Sequence, residues 1–237
     1  MTRLRRLTLA VAVAALVAGA CSSQSSPRPA TTSEVPVVTA LDGQARGDAT
    51  ATEVLSTLAV RGRAPKTGYD RDLFGPAWAD VDGNGCDTRN DILIRDLRDE
   101  VLRGDGCTVQ TGVLDDPYTG SVISFQRGQS TSSAVQIDHV VALSDAWQKG
   151  AQQWDAATRK AFANDPLELL AADGPANQAK GDGDAATWLP ANKSFRCAYV
   201  ARQIAVKAKY GLWVTEAERN AMAAVLDQCP NEPLPAG

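Results

Sequence analysis

One histidine is present in the 237-residue sequence, His139, and it directly follows Asp138. Mechanisms that use two histidines are therefore excluded, among them the paired-histidine zinc hydrolases, the two-histidine phosphodiesterases and the two-histidine iron oxygenases. A single imidazole can still act as a general base if the other catalytic groups lie elsewhere in the chain. Because a lone histidine beside an aspartate is more often structural than catalytic, the pair needs support from a second segment.

Residues 165–182 supply that support. Their sequence predicts a short strand, a turn at Asp173-Gly174-Pro175 and a helix that carries Asn177 and Lys180. Helix residues three apart share one face, so we expect these two side chains to point the same way. The chain thus predicts a strand that ends at His139 and, further along, a strand, a turn and a helix.

Hydrophobic spacing predicts the elements that must position these residues. The predicted helices are Ala51–Val60, Asp91–Leu102, Leu143–Gly150, Asp155–Ala163, Pro175–Gly181, Asn192–Tyr210 and Thr215–Leu226. The predicted strands are Ser121–Phe125, Ala134–Val141 and Leu167–Ala171. Thr215 and Glu218 are spaced as a capping box at the start of the last helix. The class is therefore α+β and helix-rich.

Three separate blocks of sequence resemble a known family in order and spacing. They are DHVVAL at 138–143, NQAKGD at 177–182 and WLP at 188–190. The blocks resemble the secreted actinobacterial HNH endonuclease-like family related to the GmrSD C-terminal domain, over about residues 69–230. The resemblance implies a ββα-metal (His-Me finger) core at about 134–182 with surrounding helices, and hydrolysis of DNA or RNA.

The resemblance also implies roles for individual side chains. His139 would take a proton from water and direct the water at the scissile phosphate. Asp138 and Asn177 would bind a divalent cation through oxygen atoms, which suits Mg²⁺ or Mn²⁺ better than Zn²⁺. The cation would stabilise charge on the phosphate and on the departing 3′ oxygen. Lys180 would contact a phosphate; the alternative is a solvated helix end.

Glu168 departs from the pattern of the family, in which an asparagine at this position donates a hydrogen bond that orients the histidine. An ionised glutamate cannot donate. Either Asn164 or Asp165 takes over, or Glu168 has another task, or catalysis is impaired. The last case leads to an alternative function, a calcium-stabilised surface lipoprotein that acts as a binding module.

A glycine-rich acidic segment at 80–91 has the D-x-D-x-N-G pattern of a calcium loop, with a carboxylate at position twelve. The candidate calcium ligands are Asp80, Asp82, Asn84 and Asp91. No entering helix precedes the segment, and aspartate rather than glutamate closes it, which weakens this interpretation. Arg89, in the same segment, is a candidate for a phosphate contact.

Two other interpretations involve hydroxyl and aromatic side chains. A serine hydrolase would pair His139 with Ser144 or Ser124, but the chain has no Gly-x-Ser-x-Gly element and Ser144 lies too near His139 for a triad.

Aromatic residues could stack nucleic-acid bases or pack in the core, which is commoner at helical positions. These residues are Trp147, Trp154, Trp188, Trp213, Tyr199 and Tyr210.

The charge of the chain limits its way of contacting nucleic acid. The formal net charge is −4 and the isoelectric point is near 5.1. Proteins that grip nucleic acid by bulk charge usually have a basic surface. A scaffold role on nucleic acid is therefore disfavoured, whereas a nuclease that contacts a few phosphates through a metal ion remains compatible. The sequence indicates no protein partner.

The N-terminus predicts export. Three arginines precede an uncharged apolar run over residues 7–20, which is shorter than the roughly twenty residues that span a bilayer. Small residues come directly before Cys21, as in bacterial lipoproteins whose cysteine is lipidated; ordinary cleavage is the alternative. We expect a signal peptide at 1–20 and a protein at the cell surface, held to the membrane by its lipid alone, or else secreted.

The other cysteines and the segment after Cys21 complete the organisation. Four cysteines allow three connectivities, and proximity favours Cys86–Cys107 and Cys197–Cys229, each worth roughly 3 kcal/mol. Residues 21–47 are rich in Ser, Thr, Pro and Ala, which predicts a flexible tether. Residues 48–237 form a single predicted domain.

Overall fold

The computed structural model describes residues 49–235; the signal segment 1–20, Cys21 and the tether 21–47 lie outside the described residues. The helices are α1 Ala51–Thr57, α2 Thr88–Asp96, α3 Leu143–Gln148, α4 Ala156–Ala163, α5 Gly174–Lys180, α6 Arg196–Tyr210 and α7 Glu216–Leu226. The strands are β1 Arg98–Leu102, β2 Val109–Asp115, β3 Val122–Gln126, β4 Val135–His139 and β5 Leu169–Asp173. The α+β class is thereby confirmed. Within residues 49–235, no helix is long and apolar enough to cross a membrane.

The strands form two separate antiparallel sheets, one with the order β1-β2-β3 and one made of β4 and β5. In the smaller sheet the register runs from Val135 opposite Asp173 to His139 opposite Leu169. Helix α5 begins at Gly174, directly after β5. Strand, strand and helix therefore follow one another in the order that the sequence predicts.

The junction between β5 and α5 depends on Gly174. A Cβ atom at this position would lie 2.1 Å from the carbonyl oxygen of Ser133, so any other residue would displace backbone. The Asp173 carboxylate accepts a hydrogen bond from the backbone N of Ala176 at 2.7 Å and caps the helix. Because glycine has no side chain, α5 can begin in direct contact with the segment that precedes β4.

Strand β5 begins two residues later than the predicted strand Leu167–Ala171. The Asp165 carboxylate accepts a hydrogen bond from the backbone N of Leu167 at 2.9 Å. The backbone N of Glu168 donates to the carbonyl of Asp165, also at 2.9 Å. These two bonds hold residues 165–168 in a turn, so pairing with β4 starts at Leu169.

The predicted helix Asp91–Leu102 is wrong in its second half. Helix α2 begins earlier, after Asp87, whose side chain accepts a hydrogen bond from the backbone N of Asn90, and it ends at Asp96. Residues 98–102 instead pair with β2, a strand that hydrophobic spacing did not predict. The register of this pairing is interrupted between Arg98 and Val101, where Asp99 has a φ of +53°. Val101 and Leu102 continued the helical spacing, but both are exposed.

A buried ion-pair network joins α3, α6 and α7. The ammonium of Lys149, at the end of α3, lies 2.8 Å from Asp145, 2.8 Å from Asp184 and 2.6 Å from Glu218. On α6, the Lys207 ammonium lies 3.0 Å from Glu218. Each buried charge has partners of opposite sign, which offsets the cost of removing it from water. Because α3 follows β4 closely, the network holds the end of that strand.

Two local features agree with the sequence analysis. The capping box of Thr215 and Glu218 at the start of α7 is confirmed. The structure also joins Cys86 to Cys107 and Cys197 to Cys229, the pairing favoured by proximity. The second disulfide links the start of α6 to the segment after α7.

Candidate active site around His139

His139 is the last residue of β4, and strand geometry decides where its side chain lies. Successive side chains of a strand point to opposite faces. His139 therefore shares a face with Ile137, whereas Asp138 shares the other face with Gln136. The contacts of each side chain agree with this alternation.

The imidazole of His139 is held by a backbone carbonyl. Its Nε2 lies 3.0 Å from the carbonyl oxygen of Ala163, at the end of α4. A carbonyl oxygen can only accept, so this contact assigns the proton of the neutral ring to Nε2 and leaves the lone pair on Nδ1. The ring is thus oriented with its basic nitrogen directed away from α4.

Trp78 covers the imidazole. The two rings are stacked with centroids 6.2 Å apart and an angle of 18° between their planes, and His139 is only 7% exposed. Trp78 has a φ of +59°, a left-handed conformation that is uncommon for a bulky residue. The next residue is fixed, because the backbone N of Ala79 donates to the Asn164 side chain at 3.0 Å.

A small cavity of about 70 Å³ adjoins the imidazole. Its lining includes Arg71, Asp72, Phe74, Trp78, Leu143 and Asn164. Burial lowers the pKa of His139 to about 3, and the positive charge of Arg71 adds to this effect. The imidazole is therefore neutral at physiological pH and can accept a proton at Nδ1.

The opposite face of β4 is closed around Asp138. One carboxylate oxygen accepts a hydrogen bond from the Lys180 ammonium at 2.9 Å, and the other accepts one from the Tyr118 hydroxyl. The Lys180 ammonium also donates to the carbonyl of His139 at 2.7 Å. Burial raises the pKa of Asp138, while the charge of Lys180 acts in the opposite direction. Lys180 is 3% exposed, so in this structure it is neither a solvated helix end nor open to a phosphate.

Asn177 lies apart from both members of the pair. It is half-buried, and its amide nitrogen donates to the side-chain oxygen of Gln136 at 3.0 Å. The three residues expected around one cation are therefore not assembled: Asp138 is bound by protein donors, His139 lies on the other face, and Asn177 bonds to Gln136. The physical reason is the two-residue period of the strand. As arranged here, these donors do not fit a divalent cation.

Glu168 has a task other than orienting the histidine. It is fully buried, and its two oxygens lie 3.3 and 3.2 Å from the backbone N of Val141. Burial raises the pKa of Glu168 well above its ordinary value, which favours the neutral acid over the ionised group expected from the sequence. The orienting bond to His139 comes from the carbonyl of Ala163.

Arg89 lies at the far end of β4. Its guanidinium donates to the carbonyl of Val135 at 3.2 Å, and Val135 is about 13 Å along the strand from His139 at the usual rise. Burial lowers the pKa of Arg89, with a further contribution from the nearby charge of Arg127. The structure therefore does not place Arg89 in the His139 cavity.

The acidic segment at 80–91 satisfies much of its hydrogen bonding internally. Both oxygens of Asp80 accept bonds from backbone amides of the loop. The amide nitrogen of Asn84 lies 3.1 Å from Asp82 and 3.2 Å from Asp91. Within residues 49–235, the three carboxylates do not form a cluster at ligand spacing; such a cluster occurs at Cys197, Cys229 and Glu232, where both thiols form a disulfide. Calcium binding by the loop stays a prediction.

The serine and aromatic alternatives receive no support from the geometry. The Ser144 hydroxyl donates to Asp182 at 3.1 Å, and among the described residues neither Ser144 nor Ser124 bonds to His139. The aromatic residues considered for base stacking contribute to the core. Trp147, Trp213 and Tyr199 are buried, while Trp154, Trp188 and Tyr210 are partly buried and pack against the main apolar cluster.

Comparison with known proteins places the chain in a family. Residues 87–225, more than half of the chain, match the family described as "GmrSD restriction endonucleases, C-terminal domain". The chain belongs to this family. The match confirms that part of the resemblance seen in the sequence, whereas the actinobacterial relationship and the HNH detail remain predictions. Within the GmrSD C-terminal family match lie Asp138, His139 and Asn177; Arg71 and Trp78 precede it.

The chain is also similar to a protein described as secreted. A protein of Arthroderma benhamiae, described as "Uncharacterized secreted protein", is 40% identical over 182 residues. The aligned region covers 76% of this chain and 85% of the relative. The similarity therefore extends over most of both chains and beyond the part matched by the GmrSD C-terminal family.

Sequence reasoning missed three contributors to the site. Arg71 was passed over because it lies in a loop with no recognisable motif. Trp78 has the residue type of a core side chain, and it packs against the apolar cluster around Ile92 as well as stacking on the imidazole. The contact of Ala163 uses a backbone carbonyl, which every residue type has, so no signal in the sequence could have indicated it.

Proposed function

We propose that this protein hydrolyses phosphodiester bonds of DNA or RNA outside the cytoplasm, with His139 as the general base. The observation that carries the proposal is the neutral imidazole whose Nε2 is fixed by Ala163 beside a small cavity. Membership of a family named for restriction endonucleases supports the reaction class. The secreted description of the relative supports export.

In the proposed mechanism, Nδ1 of His139 takes a proton from a water molecule as the water attacks phosphorus. The bond from phosphorus to the 3′ oxygen breaks, and the departing oxygen takes a proton from solvent water. The carbonyl of Ala163 keeps the ring in place and stabilises the imidazolium that forms, because Nε2 continues to donate to it. An efficient general base has a pKa near the working pH, whereas burial lowers the pKa of His139 to about 3 in the free protein. A bound phosphodiester anion beside the ring would favour the imidazolium, and would offset the depression caused by burial and by Arg71.

Divalent-metal dependence is expected for a nuclease family in general, and oxygen ligands favour Mg²⁺ or Mn²⁺. Asp138 and Asn177 are the ligands we predict from the sequence. In the structure as described, Lys180 supplies the positive charge beside Asp138, so we assign no step of the mechanism to a cation. A cation at this position would require Lys180 to move.

We also propose that β4, β5 and α5 are the ββα core of an HNH-type nuclease. The order of the three elements supports this, as does the position of His139 at the end of the first strand. The arrangement departs from that core in the two predicted metal ligands. The side chains of Asp138 and Asn177 make their contacts on the face of β4 opposite His139.

A plasmid-cleavage assay tests the proposal. Purified mature protein is incubated with supercoiled DNA, and in parallel with RNA, in Mg²⁺, Mn²⁺, Ca²⁺ or EDTA. We expect nicking by the unaltered protein and by Ser124→Ala, and none by His139→Ala. Equal cleavage by His139→Ala would indicate a contaminant. Absence of cleavage under every condition, with all variants folded, would overturn the proposal and favour a binding module.

Anchoring by Cys21 is a separate proposal, because the first 48 residues lie outside the described residues. It predicts that the exported protein partitions with membranes and that Cys21→Ala releases it into the medium. Mass spectrometry of the N-terminal peptide distinguishes a lipidated cysteine from ordinary cleavage. An unmodified cysteine would leave the protein secreted without an anchor.

A further inference from the structure

We propose that Arg71 is the phosphate-binding residue of the His139 cavity, and that its guanidinium holds a phosphodiester or a free phosphate beside the imidazole. The identity of the physiological ligand rests on the proposed function. The binding of a phosphate anion can be measured without any cleavage.

The first argument is that Arg71 has a charge without a partner. Among residues 49–235, no carboxylate lies within ion-pair distance of its guanidinium, whereas Arg63 and Arg98 each contact two carboxylates and Arg95 contacts one. Arg71 is exposed at the rim and also lines the cavity. An arginine in this state can bind a phosphate through two parallel hydrogen bonds.

The second argument is that one structural frame holds both Arg71 and the imidazole. Arg71 begins a short 3₁₀ turn, Arg71–Phe74, that Asp70 caps. Phe74 is buried and packs against Phe162 of α4 with ring centroids 6.2 Å apart, and the next residue, Ala163, binds His139. A guanidinium and a base anchored to the same helix end keep their separation, as a catalytic site requires.

Further bonds strengthen this frame. The guanidinium of Arg159, also on α4, donates to the carbonyl of Leu73 at 3.0 Å. On the other side of the cavity, Ala79 is bonded to Asn164. The segment that carries Arg71 and Trp78 is thus fixed to α4 and to the residue that follows it.

The third argument concerns the size and polarity of the cavity. About 70 Å³ is far below the roughly 300–1,000 Å³ of sites that enclose drug-sized molecules. Such a space accepts a phosphoryl group and leaves the base and sugar outside. Phe74, Leu143 and Trp78 form apolar walls, which strengthen an ion pair by excluding water.

One group in the cavity opposes the anion. Asp72 lines the same space, and its negative charge would repel a phosphate. The guanidinium of Arg71, which lines the same space beside His139, supplies the positive charge that would hold the phosphate there. Replacement of Asp72 by asparagine should therefore strengthen anion binding, whereas replacement of Arg71 should weaken it.

The single histidine makes the test direct, since the imidazole ring gives one set of ¹H–¹³C signals. Inorganic phosphate and, separately, a non-hydrolysable thymidine dinucleotide are titrated at constant pH and ionic strength in EDTA. We expect a saturable shift of the His139 signal. Arg71→Ala should weaken binding by about tenfold or more, the range of hydrogen bonds to charged groups. Arg71→Lys should retain part of it.

Two further variants complete the set. Asp72→Asn should bind phosphate more tightly. Arg219→Ala is the matched control, because Arg219 is exposed on α7 and its side chain makes no hydrogen bond or ion pair among the described residues; its binding should equal that of the unaltered protein. Stronger binding of the dinucleotide than of phosphate identifies a phosphodiester ligand, and the reverse identifies free phosphate.

The outcomes separate this inference from the proposed function. The same saturable shift in Arg71→Ala, or no saturable shift with either ligand, would overturn the role of Arg71 even if the protein cleaves DNA. Arg71-dependent binding without any cleavage would support the anion site and count against the nuclease. In a cleaving enzyme, Arg71→Ala should also raise KM by about tenfold.

Discussion

The carbonyl of Ala163 fixes the imidazole of His139 at 3.0 Å, although 24 residues separate the two positions in the chain. Because a carbonyl can only accept, this contact favours the neutral tautomer with its proton on Nε2 and leaves Nδ1 as the basic atom. Helix α4, for which the sequence predicted a helix over Asp155–Ala163 but no functional role, therefore has a direct part in the candidate active site.

The titration of His139 should reflect its burial. The pKa of about 3 predicts that its NMR signals show no inflection between pH 5 and 8. Below the ordinary value of 6.5, the unfolded chain binds a proton that the folded protein does not, so the free energy of unfolding should fall as the pH is lowered from 6.5 towards 3. An inflection near 6.5 in the folded protein would show that the imidazole is not buried as described.

The Lys180–Asp138 ion pair should be strongly coupled. Both side chains are buried, so Lys180→Met alone or Asp138→Asn alone leaves an uncompensated group and should cost about 3–5 kcal/mol. The double variant should recover part of the loss, which urea denaturation of the four proteins measures. Additive losses in the double variant would show that the two groups do not interact.

Glu168 should tolerate an uncharged replacement. Because its pKa is raised well above the ordinary value of 4.5, Glu168→Gln should change the free energy of unfolding little below pH 4.5, where the carboxyl is protonated in the folded and unfolded states alike. For a carboxyl with a raised folded pKa, the stabilisation is complete below the unfolded pKa and is lost as the pH rises through the folded one. The unaltered protein should therefore lose more stability than Glu168→Gln as the pH rises from 4.5 towards neutral. Parallel pH profiles would contradict this.

Gly174 offers a test of the junction between β5 and α5. An added methyl group would meet the carbonyl of Ser133 at 2.1 Å, so Gly174→Ala should destabilise the protein by about 1–3 kcal/mol. Gly104→Ala is the matched control, because its Cβ would meet no atom within 4 Å; it should stay within about 0.5 kcal/mol of the unaltered protein. Thermal unfolding of both variants measures the difference. Equal stability of the two variants would show that Gly174 does not lie against the carbonyl of Ser133.

Local features were predictable because they depend on neighbouring residues. The capping box of Thr215 and Glu218 needs two side chains three positions apart, and the structure contains it. Helix α5 ends at Lys180 and is followed by Gly181 at a φ of +55°, which glycine adopts without strain. The predicted helix Asp91–Leu102 failed in its second half because the pairing of residues 98–102 with β2 is not visible in local spacing.

The sequence alone determined that any histidine base in this protein must be His139, since no other histidine exists. It also indicated the strand on which that residue lies and the family to which the chain belongs. Only the tertiary structure decided that Tyr118 and Lys180 close around Asp138, that Ala163 orients the imidazole of His139, and that Arg71 and Trp78 line the cavity beside it. The reason is that residue types and short spacings specify local structure, whereas a cavity is formed by segments distant in the chain, partly through backbone atoms that all residues share.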